Sequence, residues 1–138
     1  VDTTSKLEIG ELLARSAYGL DVKDLDSLQA CFREDANFNL AIAGLPEASR
    51  FEGREQIMSL FKGALDDQTD ERKHVISNIW FSEAAADSAT VVSYLSLFAT
   101  ENGATNLITT GLYTDQVIRS DGGEWLMVDR DLKLDRPY

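Results

Sequence analysis

Apolar residues recur at helical spacing in the first half of the chain and in strand-like alternation after it. Ile9, Leu12, Leu13, Ala17 and Leu20 predict a helix over residues 5–20, with Thr3, Thr4 and Ser5 as candidate caps. Asp21 breaks that stripe. A second helix is expected at once, with Val22, Leu25, Leu28 and Phe32 on one face and Lys23, Asp24 and Asp26 on the other. Residues 36–43 are apolar without helical spacing and read as a strand, and 44–53 read as a loop. A third helix over 54–65 is built on Ile57, Leu60, Phe61 and Ala64. The charged run that follows, DDQTDERK, reads as a solvated loop. Strands are then predicted at 73–82, 90–100, 106–119 and 124–134, with Asn-Gly and Asp-Gly hairpin signals in the turns at 101–105 and 120–123. Helices followed by a run of long strands predict one α+β domain over residues 1–138. Its expected form is a cone-shaped barrel: a curved antiparallel sheet packed by three helices around a deep pocket.

Alternation along the strands proposes which side chains point inward. In the last strand Leu126, Val128, Leu132 and Leu134 share a face with Arg130, while Trp125, Met127, Asp129 and Asp131 take the other. Arg130 among aliphatics is either an end-of-strand ion pair or a cation aimed at a ligand oxygen. Trp125 and Met127 on the convex face would leave apolar surface exposed, so self-association is expected. His74 shares its face with Ile76, Asn78 and Trp80. It is a surface residue or a base. Asp21, at the junction of two helices, is an N-cap of the second helix or a pocket carboxylate. Tyr18 and Tyr113 are candidate pocket phenols, and Cys31, beside the second helix's stripe, serves as a small hydrophobe.

Composition narrows the chemistry. Of the 138 residues, 24 are Asp or Glu against 13 Lys or Arg, a net charge of −11 that disfavours nucleic-acid binding. One Cys forms no internal disulfide, and one His with one Cys cannot furnish a zinc site needing two such ligands. No Asp-x-Asp-x-Asp-Gly loop is present. An all-carboxylate Mg²⁺ or Ca²⁺ site survives these counts, but without such a loop no metal or cofactor is expected. The first residues lack a basic segment leading into an apolar run, and no stretch approaches a membrane span, so a cytoplasmic location is expected. Imidazole chemistry near neutral pH has to use His74.

The segments AYGLDVKDLDSLQACFREDANF, FEGREQIMSLF, KHVISNIWF and GLYTDQVIRSDGGEWLMVDRDL occur in this order between about residues 7 and 134. Together they resemble the SnoaL-like branch of the nuclear transport factor 2-like superfamily. Within it the chain is similar to a group that includes scytalone dehydratase, bile acid 7α-dehydratase and hexachlorocyclohexane dehydrochlorinase. The resemblance implies an Asp–His pair at Asp21 and His74, an arginine lining the site at Arg130, and a homo-oligomer, either trimer or dimer. Phe38, Asn78, Trp80, Tyr18 and Tyr113 complete the expected pocket. The implied activity is a cofactor-independent lyase or isomerase acting on a small, largely apolar, cyclic or aromatic molecule. The substrate-binding residues that differ among these enzymes have no match here. The alternative is a non-catalytic ligand-binding module or an accessory subunit like the β subunits of ring-hydroxylating dioxygenases. Epoxide hydrolysis is disfavoured, because the Asp residues of the triplet 129–131 point away from Arg130 on a strand.

Overall fold

The computed structural model describes residues 1–138 as three helices against one six-stranded sheet. Helix α1 (Thr3–Asp21) buries Ile9, Leu12, Leu13 and Ala17, the predicted stripe, and its cap is Asp2, whose carboxylate accepts the Ser5 N–H at 2.8 Å. Asp21 is the last residue of α1. The helix closes in a Schellman turn: Asp24 N–H reaches Gly19 O, Lys23 N–H reaches Leu20 O, and Lys23 adopts a left-handed φ of 59°. Asp24, not Asp21, caps the short α2 (Leu25–Gln29). Phe32, expected at the end of that helix, already opens strand β1 (Phe32–Ile42), and part of the predicted loop forms β2 (Ser49–Glu52). Helix α3 (Arg54–Asp67) buries Ile57 and Phe61. Strands β3 (Glu71–Ala84), β4 (Ser88–Glu101), β5 (Ala104–Arg119) and β6 (Trp125–Leu134) complete the chain.

The sheet order is β2-β1-β6-β5-β4-β3. All pairs are antiparallel except β1–β6, which the long crossover through α3 and the meander makes parallel. The sheet curves without closing, leaving β2 and β3 as edges. One core joins α1 and α3 to its inner face.

Two β-bulges overturn the simple alternation, because one extra residue reverses every side chain beyond it. In β6, Asp129 pairs with Gln116 while Met127 pairs with Val117, so Val128 is the extra residue. Trp125 and Met127 therefore turn inward to join Arg130, Leu132 and Leu134, at 4% and 0% exposure. Arg119 also lies over the Trp125 ring at 4.9 Å. The expected apolar convex patch at Trp125 and Met127 does not exist. In β3, Ser77 pairs with Tyr94 but Trp80 with Val92, and Asn78 sits in the bulge at φ 54°. His74 and Ile76 point inward, whereas Trp80 is turned out and Phe81 takes the inner position opposite the buried Val91.

At Gly111 on β5 a Cβ would lie 2.8 Å from the Lys133 carbonyl oxygen and 3.1 Å from the Leu134 side chain of β6. A backbone oxygen cannot rotate away as a side chain can. Gly111→Ala is expected to destabilise the fold by about 1–3 kcal/mol through overpacking, read as a lowered urea midpoint with an unchanged slope.

Candidate active site

Asp21 and His74 meet between the end of α1 and the start of β3. Asp21 Oδ1 lies 2.7 Å from His74 Nδ1, and the His74 backbone N–H donates to the same carboxylate at 3.0 and 3.1 Å. The two side chains are 11% and 14% exposed. A carboxylate at a helix C-terminus faces the negative end of the helix dipole, a local conflict. Here two N–H donors from His74 offset it. The ring is thereby fixed with Nδ1–H towards Asp21, and Nε2 makes no hydrogen bond within the protein.

His74 lines a cavity of about 120 Å³ between α3 and the inner face of the sheet. Its walls are mainly Leu20, Leu40, Leu60, Leu95, Leu97, Leu132 and Leu134, with Phe38 and Phe61 packed edge to face at 5.7 Å. Tyr113 and Arg130 close its inner end, and the Arg130 guanidinium lies 3.8 Å from the Tyr113 ring centroid. Burial pushes the Tyr113 phenol above its ordinary value, so it is a neutral donor. His74, Phe38, Tyr113 and Arg130 thus share one cavity, with Asp21 behind His74. Tyr18, Asn78 and Trp80 do not belong to it. Tyr18 lies on the outer side of α1 at 63% exposure, and Asn78 and Trp80 are turned to solvent by the β3 bulge.

Arg130 has a partner that strand alternation did not reveal. Asp115, on the neighbouring β5 and fully buried, lies 2.9 Å from Arg130 Nε, although that contact is too poorly aligned for a hydrogen bond. Arg130 Nη2 donates to Asp115 at 3.4 Å and Nη1 to Ser16 Oγ at 3.3 Å, while Ser16 donates to Leu13 O at 2.7 Å. Asp21 is therefore not the sole interior carboxylate. Asp115 is directly opposite Arg130 in the β5–β6 register, and an acidic residue among the inward positions of β5 was the available signal.

Burial pushes the Asp115 carboxyl up to about 6 against the opposing pull of Arg130. The folded chain then holds a proton that the unfolded chain, titrating near 3.8, has released. The contribution of this group to stability is fully present below about pH 4 and is lost as pH rises through about 6. Urea titrations between these limits are expected to show this downward component, and Asp115→Asn is expected to remove it.

The run 66–73 is not a simple solvated loop. Arg72 and Gln68 line the cavity mouth, and Arg72 Nε donates to Asp70 at 2.8 Å. Cys31 is buried, its thiol pushed up by burial, as befits a core residue. No helix is long and apolar enough to cross a membrane.

A family model for the SnoaL-like domain matches residues 1–131. No curated protein sequence matches the chain. Among solved structures, a Nostoc punctiforme protein of unknown function with a cystatin-like fold is 27% identical, with a TM-score of 0.81 over 98% of this chain and 94% of its own. ActVI-ORFA from Streptomyces coelicolor is 24% identical, with a TM-score of 0.81 over 96% and 98% of the two chains. A Novosphingobium aromaticivorans protein assigned as the β subunit of an aromatic-ring-hydroxylating dioxygenase is 20% identical, with a TM-score of 0.83 over 98% and 92%. The family match spans both helical and sheet regions that build the cavity, and the chain belongs to the SnoaL-like domain family.

Proposed function

We propose that this protein is a cofactor-independent lyase or isomerase in which Asp21 and His74 form a general-base pair acting on a small, largely apolar, cyclic or aromatic substrate. The observation that supports this reading is the 2.7 Å contact that holds His74 Nδ1 and leaves Nε2 on the wall of an apolar cavity. Nε2 takes a proton from a carbon next to a carbonyl, and Asp21 stabilises the imidazolium that results. The electron pair of the broken C–H bond moves into a carbon–carbon double bond as a hydroxyl departs from the adjacent carbon. The imidazolium returns its proton to that oxygen, which leaves as water. In an isomerisation the proton returns to another carbon instead. The Tyr113 hydroxyl, and Arg130 from its ion pair, are placed to steady negative charge on the carbonyl oxygen.

The test is a screen of cyclic β-hydroxycarbonyl compounds, following absorbance of the new conjugated double bond, with any activity repeated in His74→Ala. Loss of turnover in a folded variant is the expected result, and undiminished turnover overturns the pair. Self-association is part of the proposal. Its basis moves to Val75, Trp80 and Tyr94, exposed apolar residues on the outer side of β3 and β4.

A further inference from the structure

Arg72 and His74 stand opposite Ala99 and Leu97 on β4, two residues apart on β3, so both side chains enter the cavity from one face. Arg72 Nε is held by Asp70, and its guanidinium lies 5.1 Å from the centre of the Tyr138 ring. These contacts orient a side chain that is only 20% exposed. Nη1 and Nη2 have no acceptor in the protein, so most of the guanidinium's donors are unused. The other cation on the wall, Arg130, lies deeper, at 2% exposure, and is engaged by Asp115 and Ser16. A negative charge at the cavity mouth therefore meets the open Nη donors of Arg72 first.

We infer that Arg72 anchors a carboxylate substituent of a single-ring substrate, an assignment that rests on the cavity being the substrate site. A planar guanidinium with both Nη groups open fits a carboxylate in a two-pronged contact. The size follows from the volume: an engineered apolar cavity of about 150 Å³ takes up benzene, and this one, at about 120 Å³, has room for one ring. The ring would lie among the leucines and Phe38, with the carboxylate at the mouth. In a chain of net charge −11, a local cation favours the entry of an anion. Asp70 weakens the field of Arg72, so it tunes this site without touching the ligand.

The assignment is tested by calorimetric titration with benzoate and with nitrobenzene, which has the same shape and no charge. The wild type is expected to prefer benzoate. Arg72→Gln is expected to weaken benzoate binding about tenfold or more and leave nitrobenzene binding unchanged. Asp70→Asn is expected to tighten benzoate binding. Equal affinity of the wild type for the two probes, no benzoate binding at millimolar concentration, or unchanged benzoate binding in Arg72→Gln overturns the assignment. Because binding is read without turnover, the outcome is separable from the fate of the general-base pair. A failed preference together with His74-dependent turnover removes only the anchor.

Discussion

Asp21→Asn is expected to lower turnover about 10²–10⁴-fold while the chain remains folded, the range that a correctly positioned general base supplies. The reason lies in what Asp21 holds. One carboxylate oxygen takes both the backbone N–H and the Nδ1–H of His74. Asparagine keeps one acceptor oxygen and presents an NH₂ group. When that group faces Nδ1, the ring proton moves to Nε2 and the base is blocked. The charge that stabilised the imidazolium is also gone. The measurement is kcat on any substrate that the wild type converts, beside a urea titration to show that the fold is retained. Turnover equal to the wild type in Asp21→Asn would exclude a role for the carboxylate in the proton transfer.

Asp115→Ala is expected to destabilise the protein by about 3–5 kcal/mol, because it leaves the Arg130 guanidinium buried without its counter-charge. Arg130 is 2% exposed, and the remaining contacts, to Ser16 and the Tyr113 face, do not neutralise it. Replacing both partners together, as Asp115→Leu with Arg130→Met, is expected to cost much less, since no charge is then stranded in the core. Urea titrations of the single and double variants at neutral pH measure the difference. A single variant as stable as the double would mean that water reaches Arg130 in the cavity and carries its charge.

The same pair illustrates where reading the sequence succeeds and where it stops. Arg130 is recognisable as anomalous from its aliphatic neighbours alone, whereas Asp115, in the polar run Thr114–Asp115–Gln116, shows only an alternation with Tyr113 and Val117 that does not reveal its depth. Its importance comes from a register across two strands. Arg72 was obscured in another way. Within DDQTDERK it looks like one more solvated charge, and only the start of β3 at Glu71 turns it towards the cavity. Alternation reads the inner face of β6 correctly at Arg130–Leu134 and wrongly before the bulge, and it leaves the face of β3 open, His74 being directed inward only by the resemblance. A bulge has no dependable sequence signal, since it is stabilised by its neighbour strand.

What the sequence by itself determined was the order and kind of every element except β2, the α+β class and the limits on chemistry. These follow from short-range periodicity, from turn residues and from there being one histidine, all properties of neighbouring positions. The resemblance in four ordered segments implied the Asp21–His74 pairing before any geometry was available. Only the tertiary structure decided that the Asp21 carboxylate closes α1 against His74, that Arg130 is matched by Asp115, and that Arg72 keeps its donors open at the cavity mouth. Those facts depend on bulges, on one parallel strand crossing and on the curvature of the sheet. The first two of these facts bring together residues 53 and 15 positions apart, distances over which local pattern holds no information.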